Sequence, residues 1–416
     1  MKKQRLVFKI LIGILVLVFC SRMAVLIFWQ HGNQRNSAAS SRPDDFVRQT
    51  ASLYNIHKNG AALSHQTVSK AIDHSHTTTT LKAKKIAPKE SSLTQKIDIT
   101  RTTINRYLHR VNFTGTAVVV SHGQTVLARG YGYRNVALRL PNMPSTEYYV
   151  ASITKSVTAV AFMQMREHGL ISFNDRVSQF YPNFPNGRSI SMLDLLCHVS
   201  GLRGIPETIR FVTRDEQVQR IADGNLRLSY RPGTQWSYED DNYTLVAAIL
   251  DRISLRTYGK TLHQYIQQNI FNKANMTQAG FGEMSQSPYR SIGYAGVSEQ
   301  IPSLTQLLGC GDVYMSAWDL YLFDHALADG TLLSAPSYQS IFKRHFSVTA
   351  YSLGWYPDRE GWGKHTYSSH GVLGGWNGSN AFSMDRQNFV VLLSNSSSAS
   401  GIYAQANQMI FNVLSK

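Results

Sequence analysis

The chain has 416 residues, 43% hydrophobic and 16% charged, with 42 Lys+Arg against 26 Asp+Glu and a formal net charge of +16. This composition excludes a collagenous or disulfide-scaffold protein, and the length suits two or three units with at least one large core. The charge is uneven: residues 1–100 hold 15 Lys/Arg and 5 Asp/Glu, leaving 27 against 21 for the rest. Basic character gathered at one end suits a membrane flank and attraction to polyanions; no nucleic-acid motif is present, so no nucleic-acid partner is expected.

At the N-terminus, Lys2, Lys3, Arg5 and Lys9 precede an apolar run over residues 10–29 that only Ser21-Arg22 interrupts. Twenty helical residues span about 30 Å, the thickness of a bilayer core. Phe19, Arg22 and Met23 stand where signal cleavage needs small residues, so the run reads as an uncleaved anchor. Its basic flank puts the N-terminus in the cytoplasm and the rest outside, with Arg22 snorkelling to the headgroups. Residues 31–100 are rich in Ser, Thr, Asn, Gln, His and Lys, lack an apolar period, and read as a disordered basic stalk. Residues 101–416 are expected to form the folded domain.

In that domain Thr116 to Ser121 and Gln124 to Gly130 are β-branched, alternating runs joined by His122-Gly123, a hairpin signal. A helix is predicted after Ala151, stopping near Gly169. Strands return at Ala381 to Met384 and Asn388 to Leu393, and a helix follows over about 402–414. Strands at both ends and helices between them predict an α/β (α+β) fold, one sheet drawn from both ends of the chain with a helical subdomain. Of the three cysteines, Cys20 lies in the apolar run, and Cys197 and Cys310 are expected as buried thiols rather than a bridge.

Three motifs carry chemistry. In Ser152-Ile153-Thr154-Lys155 the helical i, i+3 spacing brings the amine to the hydroxyl, at a helix start whose dipole favours developing negative charge. In Tyr238-Glu239-Asp240 a tyrosine held beside an ammonium can shuttle a proton to and from a serine. In His370-Gly371-Val372-Leu373-Gly374-Gly375-Trp376 glycines let a substrate lie along a strand edge.

Their order and spacing over about residues 105–415 resemble the serine penicillin-recognising enzymes, in the class C β-lactamase and D-alanyl-D-alanine carboxypeptidase branch. Tyr149 to Ser156, Leu195 to Leu202, Arg231 to Thr234, Met315 to Leu320 and Tyr351 to Trp355 resemble further landmarks. The resemblance implies a β-lactamase/transpeptidase-like antiparallel sheet flanked by helices. It also implies Ser152 as acylated nucleophile, with Lys155 and Tyr238 as its proton partners, either of which can be the base. The oxyanion hole is expected from the Ser152 N–H and that of Leu373 or Gly374. No metal or organic cofactor is implied.

Two positions depart from the family pattern. Asp240 replaces the usual Asn, and His370-Gly371-Val372 replaces a cation, a Ser or Thr, and Gly, so the hydroxyl that holds a carboxylate is absent. Both departures disfavour a substrate carboxylate and favour a free amine. Some family members that this chain resembles act as D-alanyl esterases of teichoic acids, so the resemblance, with these departures, implies that activity first, then D-alanyl-D-alanine carboxypeptidase on peptidoglycan, then β-lactamase. A non-catalytic D-alanyl or β-lactam receptor is the reading from another class. A cell-wall polymer is the expected substrate, at the cell membrane of a bacterium with a thick wall.

Overall fold

A computed structural model of the chain describes residues 89–284, 287–295, 301–399 and 401–416. The expected membrane anchor and the stalk up to residue 88 lie outside the described residues. The folded unit runs over Lys85–Lys416.

Helix α1 (Lys89–Arg110) opens ahead of the boundary expected at residue 101. Its first half is mostly polar, and the core-facing Ile104 and Leu108 come only in its second half, so the sequence stripe Leu93, Ile97, Ile104 and Leu108 is too sparse to announce it. β1 (Gly115–Ser121) and β2 (Gln124–Tyr131) follow as the expected hairpin, with His122 and Gly123 both at positive φ as a type I′ turn requires. A short pair, β3 (Tyr133–Asn135) and β4 (Leu140–Pro141), leads to β5 (Glu147–Tyr149) and then to a 3₁₀ turn at Ala151–Ile153.

The turn enters α2 (Thr154–Glu167), buried from Thr154 through Met165. Gly169, at φ 71°, stops it as expected, with the Leu170 N–H reaching back to the Met165 carbonyl. The helical subdomain comprises α3 (Val177–Phe180), α4 (Met192–Leu196), α5 (Arg214–Gly224), α6 (Asp240–Tyr258) and α7 (Leu262–Ile266). β6 (Gly280–Phe281), β7 (Val313–Ser316), α8 (Ala317–Ala328), α9 (Ala335–Phe342) and β8 (Tyr356–Pro357) return the chain to the sheet. β9 (Thr366–Leu373), β10 (Trp376–Ser383), β11 (Asn388–Ser394) and α10 (Tyr403–Leu414) complete it.

The main sheet is antiparallel, in the order β2-β1-β11-β10-β9-β8, so the two ends of the folded unit meet where β1 pairs with β11. Strand alternation sorts its side chains between two cores. Ala117, Val119, Val390 and Leu392 pack with Ile104 and Leu108 of α1 and Ile410 of α10. Val118, Val120, Val391 and Leu393 pack towards α2, α6 and α8. Both faces are covered, which is why β1 and β11 read as nearly continuous apolar runs.

Candidate active site

Ser152 lies in the 3₁₀ turn directly ahead of α2, preceded by Ala151 at φ 49°, a left-handed conformation rare for a residue with a Cβ. Gly371 of β9 presses against this turn. A Cβ there would lie 2.2 Å from the Val150 carbonyl oxygen and 2.8 Å from the Ser152 nitrogen. Gly371, not Val372, therefore occupies the place where only hydrogen fits, and the side chain of Val372 is 57% exposed. This corrects the sequence register: the cation–hydroxyl–glycine pattern falls on Ser369-His370-Gly371, and His370 stands at the hydroxyl position.

Lys155, fully buried, directs its ammonium at three acceptors: Ser152 Oγ at 3.0 Å, Asp240 Oδ1 at 2.5 Å and the Cys310 carbonyl at 3.0 Å. An ammonium has three protons, and all are taken. Burial pushes the Lys155 pKa down, but the facing Tyr238 and Asp240 outweigh it and hold the ammonium above the ordinary lysine range. The Tyr238 ring flanks this amine, with its centroid 5.0 Å from Nζ.

Asp240 opens α6, where it and Asp241 meet the free N–H groups of the first turn. Only one side of its carboxylate is engaged by Lys155, and 48% of the side chain reaches solvent. Further carboxylates crowd it. Burial and the charge of Asp240 raise Glu207. Burial pushes Asp241 up to about 7, with Asp240 and Glu239 adding to the rise. The ground beside Lys155 is thus acidic beyond what one ammonium neutralises.

The Cys310 carbonyl is placed by a loop pinned on two helices: Thr158 of α2 donates to the Gly309 carbonyl, and Thr244 of α6 donates to Cys310 Sγ. Asp312 closes the loop by accepting from the Gly309 N–H, and pairs with His263 at 2.7 Å. Cys197 and Cys310 are both buried free thiols.

β9 and β10 are joined by the two-residue turn Gly374-Gly375, with Gly374 at φ 53°, and Leu373 pairs with Trp376. In such a hairpin the flanking pair exchanges both hydrogen bonds, and alternate residues of the strand follow it. The far end of β9 keeps the same parity. The His365 carbonyl accepts from Met384 after β10, and the Thr366 carbonyl accepts from Asp358 on the other edge. The Leu373 N–H thus belongs to the ladder and Gly374 to the turn, so neither expected oxyanion donor faces the serine. The N–H that β9 turns to its outer edge beside Gly371 is that of Val372.

His370 accepts at Nδ1 from Arg359 Nη1 at 3.0 Å, which leaves its proton on Nε2. Burial and the charges of Arg359 and Lys155 lower its pKa to about 4, so the ring is neutral. The Arg359 guanidinium lies between the rings of Tyr356 and Trp362, 4.5 and 4.4 Å from their centroids. Arg359 and the Cys310 carbonyl escaped the sequence reading: the one lies outside every motif, and the other is a backbone atom with no residue signature.

A beta-lactamase family model matches residues 100–414. PbpX of Bacillus subtilis (strain 168), a protein named for penicillin binding, is 37% identical over 339 residues, 80% of this chain and 83% of that one. Teichoic acid D-alanine hydrolase of Staphylococcus aureus (strain MRSA252) is 27% identical over 222 residues, 52% of this chain and 55% of the relative, so that match spans about half of each. Among solved structures, FmtA from Staphylococcus aureus superposes with a TM-score of 0.66 at 22% identity, over 77% of this chain and 89% of that one. The D-amino acid amidase from Ochrobactrum anthropi SV3 does so with a TM-score of 0.64 at 18% identity, over 78% and 98%. The family model's span, the identity to PbpX and the shared fold agree: this chain belongs to the beta-lactamase family.

Proposed function

We propose that the chain is a membrane-anchored, extracellular serine hydrolase that releases D-alanine from the cell envelope, acting first on D-alanyl esters of teichoic acid. The observation that carries this reading is Asp240. It keeps Lys155 charged, and its half-exposed carboxylate, set among Glu207, Glu239 and Asp241, favours a substrate ammonium over a substrate carboxylate. The name of the Staphylococcus aureus relative, a teichoic acid D-alanine hydrolase, supports the same substrate.

With its three protons engaged, Lys155 remains an ammonium and stabilises the Ser152 oxygen, so the phenolate form of Tyr238 takes the serine proton and becomes the phenol. Ser152 Oγ then bonds to the acyl carbon, and the N–H groups of Ser152 and Val372 receive the oxyanion. Tyr238 returns its proton to the departing alcohol. Water, giving one proton to Tyr238, bonds to the acyl carbon, and Tyr238 passes that proton to Ser152 Oγ as the D-alanyl–serine ester breaks, which frees D-alanine and restores the serine hydroxyl.

A second reading, D-alanyl-D-alanine carboxypeptidase, is favoured by the Arg359–His370 pair, which puts a cation and a neutral N–H donor near the position of the missing hydroxyl. D-Alanine release by the full chain from D-alanylated teichoic acid and from a D-alanyl-D-alanine muropeptide separates the two. Release from teichoic acid that Ser152→Ala abolishes is the expected result. Release from the muropeptide alone establishes the second reading, and release from neither leaves a binding protein.

A further inference from the structure

Tyr238 precedes α6, and its hydroxyl has to meet Ser152 with little positional freedom. Underneath it lies His198, fully buried and at φ 57°. Three contacts join His198 to the tyrosine segment. Its carbonyl accepts from the Ser237 N–H at 3.0 Å, and its Nδ1 accepts from the Glu239 N–H at 3.3 Å. Its ring stacks on the Tyr238 ring at 4.3 Å between centroids, with 30° between the planes.

The residues before and after Tyr238, and the ring of Tyr238 itself, are thus held by one histidine. That histidine is fixed in turn: Asn242 Nδ2 donates to the same Nδ1 at 3.2 Å, and Ser200 Oγ donates to Asn242 Oδ1 at 2.5 Å. With Nδ1 accepting, the ring carries its proton on Nε2. Burial and the nearby Lys155 charge keep it neutral, so it adds no second cation beside the ammonium.

We propose that His198 is the positioning residue that aims Tyr238, through a backbone clamp on Ser237 and Glu239 and a stacking platform under the ring. The proposal rests on the reading of Tyr238 as proton carrier for Ser152. It separates two tasks of one side chain: Asn at this position keeps an acceptor and tolerates positive φ but removes the platform, whereas Phe keeps the platform and removes the acceptor.

The test is a double-mutant cycle on hydrolysis of p-nitrophenyl acetate by the full chain, with folding followed by thermal melting. His198→Asn is expected to lower kcat about tenfold or more with KM nearly unchanged, because small misplacements of a catalytic group are costly. In a Tyr238→Phe background the same change is expected to cost less than about twofold, since no proton carrier is left to aim. His198→Phe, closer in shape, is expected to fall between wild type and His198→Asn, and likewise to be nearly silent beside Tyr238→Phe. An equal loss from either variant in both backgrounds, or wild-type kcat in His198→Asn, overturns the proposal. A wild-type chain with no Ser152-dependent turnover overturns the underlying reading instead, and the clamp's catalytic role with it.

Discussion

On the proposed mechanism the chemistry turns on Lys155, whose buried ammonium, with three acceptors, serves as a fixed charge rather than as the base. Asp240→Asn removes the carboxylate that opposes burial, so the Lys155 pKa is expected to fall. The wild-type ammonium persists through alkaline pH, whereas the variant loses it as pH rises through its lowered pKa. The pH–rate profile of Asp240→Asn should therefore decline at a lower alkaline pH than that of wild type, with the facing Tyr238 still holding the ammonium in part. The variant's product ratio should also move towards carboxylate-bearing D-alanyl peptides. Gly371→Ala tests the opposite wall: its methyl would meet the Val150 carbonyl and the Ser152 nitrogen. A loss of roughly 10²-fold in turnover and about 1–3 kcal/mol in stability is expected from chemical denaturation and steady-state kinetics. That Ser152, Lys155 and Tyr238 come together was legible because their side-chain types and spacing point to one site. The Cys310 carbonyl and the Val372 N–H were not, because every residue carries such groups and only strand parity and loop docking select one.

At the scale of elements, the start of α6 concentrates the electrostatic tension. Burial, with Asp240 and Glu239 adding, raises Asp241 to about 7, although its carboxylate accepts from the Ile205 N–H at 2.8 Å. A carboxyl raised in the folded state contributes stability at low pH that is lost as pH climbs from its unfolded value near 4 through 7. Asp241→Asn mimics the protonated form, so it should be nearly neutral at about pH 3 and stabilise by about 4 kcal/mol at pH 8. Urea denaturation at the two pH values checks it. The β1–β2 hairpin and β11 were legible from alternation and turn residues, whereas β10, expected at Ala381 to Met384, runs Trp376–Ser383, its first half being polar and Gly-containing. The register of β9 was not: His370-Gly371-Val372 fits the motif at two offsets, and packing against Ala151 and Ser152 chooses between them. The early start of α1 was hidden for a different reason, since its first half is mostly polar in sequence and its core residues Ile104 and Leu108 come late.

For the whole molecule, the sheet is closed from the two ends of the folded unit and covered by α1 and α10. Leu108→Ala, in the core beneath α1 and remote from the serine turn, is expected to cost about 2–5 kcal/mol in global stability. At 25 °C kcat per folded molecule should stay at the wild-type value, which active-site titration alongside a melt would show. The pairing of Thr116 with Leu393 carries a further consequence for the life of the chain. Ser152 and Lys155 leave the ribosome long before Gly371 and Val372, so on the proposed mechanism the nucleophile has no strand behind it, and no oxyanion donor from β9, until β9 has been made. Until β11 arrives, β1 also presents an open edge to any other strand. On the proposed mechanism, a nascent chain thus holds an unarmed serine until β9 is in place and an open strand edge until β11 follows, and pairing of β9 and β11 through β10 links the two.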